Sequence, residues 1–157
     1  MSKLFMLADL KNFKSTEAKP IRFVDIDRTT SAQLMVDSYF NTIDWEDGDG
    51  VESALAGLES AELGEMGEFI SEASLAILDD EGSPISEVIV ALYKEIPTIL
   101  FLYTHPREAR RGLARSLIQA SAEALRELGY SQIGLFVTAG NPAQALYTSL
   151  GFGVVQP

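Results

Sequence analysis

The chain has no cysteine and a single histidine. Without cysteine there is no disulfide, no thiolate metal site and no thiol nucleophile. One histidine does not build a multi-histidine metal centre, so no resident metal is expected. No apolar run approaches the roughly 20 residues of a membrane span. No charged and then apolar leader opens the sequence. These absences predict a soluble, cytoplasmic protein with no membrane partner. Positive charge is also scarce: 12 Lys and Arg stand against 23 Asp and Glu, for a net charge of −11. That balance disfavours nucleic acid as a partner. The scarcity is uneven. Between Thr29 and Tyr93 there is no Lys or Arg, and the same stretch holds fifteen acids, among them Asp44, Glu46, Asp47, Asp49 and Glu87. Acids ordinarily solvate surface helices, but a stretch with no counter-charge also attracts a cation.

What is present fits one globular domain over 1–157. Hydrophobic residues make up 46% of the 157, enough for a proper core. Residues 1–20 are ambiguous: KLFML reads equally as a short strand or a helix start, and Pro20 ends whatever precedes it. Residues 21–26 alternate like a strand. Thr29, Thr30 or Ser31 is placed to cap a helix over 31–43, residues 43–50 read as a loop, and 51–66 reads as a second helix. Residues 72–80 and 84–94 flank the turn DEGS, a hairpin signal, and after the break EIP a third strand covers 98–104. A helix is predicted over 110–128, with Leu113, Leu117, Ala120, Ala124 and Leu128 on one face and Gly129 just past its end. A strand over 130–138, a helix from Asn141 and a short strand in GFGVV complete the chain. The fold class is α/β, with a mixed, mostly antiparallel central sheet flanked by helices.

Chemistry concentrates between Thr98 and Phe152. A strand feeding a Gly-containing turn into a helix start presents free backbone N–H groups and the positive end of the helix dipole to an anion. Gly112 and Ala114 keep side-chain bulk at that entrance small, so a phosphate could approach the main chain, and Arg107, Arg110, Arg111 and Arg115 lie within nine positions around it. The rival phosphate motifs, G-x-x-x-x-G-K-[ST] and G-x-G-x-x-G, are absent.

Two segments resemble the GNAT superfamily of acyl-coenzyme-A-dependent N-acetyltransferases, and the element order follows it over 21–155. LYTHPREARRGLARSLI (102–118) is similar to the family's pyrophosphate motif Q/R-x-x-G-x-G/A, with Gly112 and Ala114 in the small slots. It departs at Ala109, where Gln or Arg is usual, and has Thr104 where valine is usual. NPAQALYTSLGF (141–152) is similar to N-x-x-A-x-x-L-Y-x-x-x-G-F through Asn141, Ala143, Leu146, Tyr147, Gly151 and Phe152, with Ala143 displaced by one.

The resemblance implies acetyl-CoA as cosubstrate. The backbone around Arg110, Arg111, Gly112, Leu113, Ala114 and Arg115 would hold its pyrophosphate, and Leu102 and Thr104 would pair with the pantetheine arm, with Asn141 beside it. It implies that Tyr147 protonates the departing thiolate. With no cysteine for an acyl-enzyme, a primary amine would attack the thioester directly in a ternary complex. Glu87, Tyr103, His105 or a water chain is left as the base. The acceptor would meet the acid-rich segment, where Asp44, Trp45, Glu46 and Asp47 are the candidates for recognising a cationic amine. The alternative reading is a non-catalytic acyl-CoA-binding or regulatory module on the same fold. Relatives usually end in a longer hairpin. Either the last sheet edge here is open, inviting a homodimer, or the N-terminal segment covers it.

Overall fold

The computed structural model describes residues 2–40, 42 and 50–155. Its strands are β1 (Lys3–Asp9), β2 (Ile21–Arg22), β3 (Leu75–Leu78), β4 (Pro84–Tyr93), β5 (Ile96–Thr104), β6 (Gln132–Thr138) and β7 (Gly153–Val154). Its helices are α1 (Arg28–Tyr39), α2 (Val51–Glu62), α3 (Leu113–Glu127) and α4 (Ala143–Ser149). Among the described residues, all seven strands form one mixed sheet in the order β2-β3-β4-β5-β6-β1-β7. No helix of the described residues is long and apolar enough to cross a membrane.

Local signals in the sequence account for most boundaries. The Asp27 carboxylate caps α1 by accepting from the Thr30 amide at 3.2 Å, so the helix starts earlier than the threonines predict. Gly64, at φ 83, ends α2 before residue 66. The strand expected over 21–26 is only two residues long and gives way to a turn of 3-10 helix over Phe23–Asp25. The break expected at EIP is instead a two-residue turn. Lys94 and Glu95 take φ of 50 and 68, which matches the twist of an antiparallel pair, and β5 begins at Ile96. Gly129, at φ 95, ends α3 as predicted, with Tyr130 N donating to Leu125 O at 3.1 Å.

The ambiguous N-terminus is a strand, β1, which lies between β6 and the edge strand β7. β1 runs antiparallel to β6 from Lys3↔Thr138 to Asp9↔Gln132, and its other edge takes β7 at Met6↔Val154 and Leu7↔Gly153. The N-terminal segment therefore covers the outer edge of β6, while β1 itself takes β7 only at Met6 and Leu7. Leu10 and Phe13 follow β1 into the core, and their carbonyls accept from Arg126 Nη1 of α3 at 2.6 and 2.9 Å.

Two cores flank the sheet. On one face, α3 packs Leu117, Ile118 and Leu125 against Met6, Val88, Val90, Ile99, Ile133 and Leu135. On the other, α1 and α2 pack Leu34, Met35 and Leu58 against Phe23, Ile89 and Tyr103. Burial of that apolar surface, at about 25 cal/mol per Å2, is the main term holding both layers.

Candidate active site

The sheet is split where its topology changes. β5 and β6 are parallel neighbours, yet they pair only at Thr98↔Gly134 and Ile99↔Leu135. β5 continues to Thr104 and β6 to Thr138 without pairing across the gap. A bulge marks the point of parting. Opposite β4, Ile89 faces Phe101 and Val90 faces Ile99, so Leu100 is the extra residue. An extra residue bends and twists its strand, and here it turns the end of β5 away from β6.

That divergence exposes main-chain groups. The His105 amide donates to Ile85 O on β4 at 2.9 Å. By the two-residue alternation of an antiparallel ladder, Tyr103 also bonds toward β4, while Leu102 and Thr104 turn their N–H and C=O groups to the gap. Tyr39 Oη of α1 donates to Leu102 O at 3.2 Å, as that orientation requires. Sequence reading placed Tyr39 only in an apolar stripe; its contact with β5, 63 positions away, has no local signature.

The loop at the top of β5 has two left-handed residues. After a 3-10 turn over Pro106–Glu108, Arg110 takes φ 67 and Gly112 φ 76. A non-glycine residue there costs about 1 kcal/mol or more. α3 starts at Leu113, not at residue 110 as predicted, because left-handed Gly112 cannot belong to the helix. No side chain caps α3, and the first intrahelical bond runs from Ser116 N to Gly112 O at 3.0 Å. The amides of Leu113, Ala114 and Arg115 accordingly have no acceptor among the described residues. A β-carbon on Gly112 would meet nothing within 4 Å.

The arginine cluster needs correcting. Arg110 and Arg111 lie in the loop and Arg107 in the 3-10 turn, so only Arg115 sits in the first turn of the helix. Arg111 is ion-paired with Glu108, and Arg115 Nη2 donates to Ser149 Oγ of α4 at 2.8 Å. The four arginines therefore do not converge on the start of α3, where the uncapped backbone amides are the donors.

Tyr147 is half-buried on α4, its ring edge-on to Phe152 with centroids 6.1 Å apart. Asn141 Oδ1 accepts from the Ala143 amide at 2.9 Å and so caps the start of α4. Counted back from Tyr147, Gly151 and Phe152, Ala143 stands in register and the asparagine is the residue that is one place late. Asp44, Trp45, Glu46 and Asp47 lie outside the described residues.

The three side chains considered as a base are all engaged. His105 Nδ1 accepts from the Arg107 amide at 3.1 Å, a turn-capping role. Glu87 is fully buried on β4 and accepts from Tyr103 Oη at 2.7 Å and Ser31 Oγ at 2.8 Å. Burial holds its carboxyl above the ordinary value, opposed by those two hydrogen bonds and the charge of Arg28. Burial and the neighbouring carboxylate raise Tyr103 as well.

A pH dependence of stability follows. A raised folded-state pKa favours the fold while the carboxyl is protonated, below its unfolded value, and that contribution is lost as pH rises through the folded value. Glu87→Gln keeps the shape and removes the charge. The variant is expected to lose this downward slope and to be the more stable protein at neutral pH, by about 1.4 kcal/mol per unit of elevation. Urea unfolding of both proteins from pH 4 to 8 checks it; parallel pH curves would contradict it.

Comparison with known proteins agrees with this architecture. A sequence profile described as Acetyltransferase (GNAT) family matches residues 29–152. A search of curated protein sequences gives no match. Among solved structures, a GCN5-related N-acetyltransferase from Sphaerobacter thermophilus is 17% identical, with a TM-score of 0.74 over 98% of this chain and 48% of that one. The ribosomal-protein-S18-alanine N-acetyltransferase from Escherichia coli is 20% identical, with a TM-score of 0.66 over 88% and 77%. A structure of AAC(6')-Iy in complex with the bisubstrate analogue CoA-S-monomethyl-acetylneamine is 15% identical, with a TM-score of 0.63 over 88% and 91%. The chain spans about half the length of the Sphaerobacter protein. At these identities the structures establish the fold.

Proposed function

This chain belongs to the acetyltransferase (GNAT) family, and we propose that it moves an acetyl group from acetyl-CoA to a primary amine within a ternary complex. The observation that carries the reading is the early parting of β5 from β6 directly below the uncapped start of α3. The amides of Leu113, Ala114 and Arg115, with the loop at Arg110–Gly112, suit a diphosphate. The gap-facing main chain of Leu102 and Thr104 suits the amide-bearing arm, as in addition of a strand. Leu102 O already accepts from the Tyr39 hydroxyl and has a second lone pair to offer the arm, which places the arm beside the end of α1. Held this way, the thioester lies where the strands meet, and the amine approaches from the α1–α2 face.

Tyr147 is the group assigned to protonate the departing thiolate, since a phenol of pKa about 10 matches a thiolate of similar basicity. Tyr147→Phe is expected to lower kcat about 100-fold and to leave acetyl-CoA affinity unchanged. Calorimetric titration with acetyl-CoA and thiol release over a panel of amines test both halves. Absence of coenzyme binding would refute the reading. A non-catalytic coenzyme-binding module is the second reading, favoured by Ala109 in the pyrophosphate motif and by the engagement of Glu87, Tyr103 and His105. Tight binding without thiol release on any amine would select it.

A further inference from the structure

The half of the sheet beyond β5 carries an aromatic surface that neither core uses. Ile133, Leu135 and Val137 face α3, so Gly134, Phe136 and Thr138 face the other side. On β1, Met6 and Ala8 face α3, which turns Lys3, Phe5 and Leu7 the same way as Phe136. The α1–α2 core includes no residue of β6 or β1, so those helices leave this half uncovered. Three rings cluster there. Phe5 and Phe136 have centroids 4.9 Å apart, Phe136 and Tyr93 5.2 Å, and Phe5 and Tyr93 5.9 Å. Phe136 is 42% exposed and Tyr93 36%. The cluster depends on a missing side chain: a β-carbon at Gly134 would lie 2.6 Å from Phe5 Cζ. Phe136 directly follows Leu135, the last residue of β6 paired with β5, so its ring stands at the mouth of the gap.

Charge sets the character of this surface. At the gap end, Lys3 Nζ donates to Thr138 Oγ1 at 3.0 Å and has no ion-pair partner among the described residues. It shares that state with most basic residues here, since the ion pairs among the described residues are Arg28–Glu62 and Arg111–Glu108; what sets Lys3 apart is that it stands on the same face as the rings. At the other end, Lys94 Nζ lies 5.3 Å from the centre of the Tyr93 ring. The rings are thus bordered by an ammonium at each end, Lys3 at the open end of the gap and Lys94 at the closed end, and the acid-rich α1–α2 layer lies across the gap.

We propose that Phe5, Tyr93, Phe136 and Lys3 form the acceptor subsite, and that it takes a free α-amino acid with an aromatic or bulky apolar side chain. The inference rests on the acetyl-transfer reading given above. The carboxylate meets Lys3, the side chain lies on the rings, and the amino group is left at the mouth of the gap. There its nitrogen, once deprotonated, attacks the thioester carbon. An N–C bond forms as the C–S bond breaks, the thiolate takes a proton from Tyr147, and the proton lost by the amine passes to water.

The test is equilibrium binding to the intact protein, read from the ring-proton NMR signals of Phe5, Tyr93 and Phe136. Three probes are used: L-phenylalanine, 2-phenylethylamine, which lacks the carboxylate, and glycine, which lacks the ring. L-Phenylalanine is expected to shift these signals with a Kd at least 10-fold below that of either other probe, since each lost contact is worth about 1.4 kcal/mol or more. Lys3→Gln is expected to remove the advantage over 2-phenylethylamine, and Phe136→Ala the advantage over glycine. Equal affinity for the three probes overturns the proposal. So does a loss of acetyl-CoA affinity in Lys3→Gln, which would assign the ammonium to the coenzyme. Ring shifts that depend on protein concentration alone would mark a face between two copies and overturn it too. Failure of acetyl-CoA to bind would sink the transfer reading while leaving this binding measurement intact.

Discussion

Ala114→Glu is expected to abolish coenzyme binding while leaving the protein folded and slightly more stable. Ala114 is the second residue of α3, half-buried beside two other amides that have no acceptor. A carboxylate in the first turn of a helix is stabilising by about 0.3–1 kcal/mol, because it meets the positive end of the dipole. The same carboxylate would occupy the place proposed for the diphosphate. Two like charges about 5 Å apart repel by roughly 3 kcal/mol at an effective dielectric of 20, and the diphosphate carries two. The loss of affinity should be on the order of 1,000-fold. Thermal unfolding and calorimetric titration with acetyl-CoA measure the two effects separately. They are predicted to move in opposite directions, which a misfolded variant would not reproduce. Unchanged affinity would place the diphosphate elsewhere.

Deletion of residues 2–9 is expected to destroy cooperative folding. β1 pairs along its whole length with β6 and carries β7 on its other edge. Met6, 1% exposed, and Ala8, 5% exposed, are part of the α3-side core. Burying a methionine side chain stabilises by about 1.5–3 kcal/mol. Loss of β1 would also strip β6 of its outer ladder and leave β7 without a partner strand. The combined loss, at least ~4 kcal/mol, is a large part of the 5–15 kcal/mol typical of a domain. Circular dichroism melts of the shortened chain measure it, and a synthetic peptide of residues 2–13 added in trans should restore a melting transition. A shortened chain that melts as sharply as the full one would contradict the placement of β1.

The legible parts of the chain were those written in local chemistry. The stripe of α3, the Gly129 terminator, the DEGS hairpin and the Leu146–Tyr147–Gly151–Phe152 run each depend on residues a few positions apart. They were sufficient to predict the mixed sheet and the family likeness. The start of α3 was misjudged because the left-handed turn at Arg110 leaves no mark in a run of helix-tolerant residues. The arginines looked like a cluster for one anion, yet two are engaged by Glu108 and by Ser149. Ser149 lies 34 positions from Arg115, beyond the reach of any periodicity.

After residue 26 the sequence by itself determined most of the helices and strands, and the glycine-containing turn that leads into α3, because capping, periodicity and glycine conformation act over one or two turns of chain. Only the tertiary structure decided that residues 3–9 slot between β6 and β7, that β5 bulges at Leu100 and parts from β6, and that Glu87 is sealed beneath Ser31 and Tyr103. Those outcomes depend on which edges and faces meet across long stretches of chain. Backbone groups and apolar surface find partners there by geometry rather than by neighbourhood in sequence.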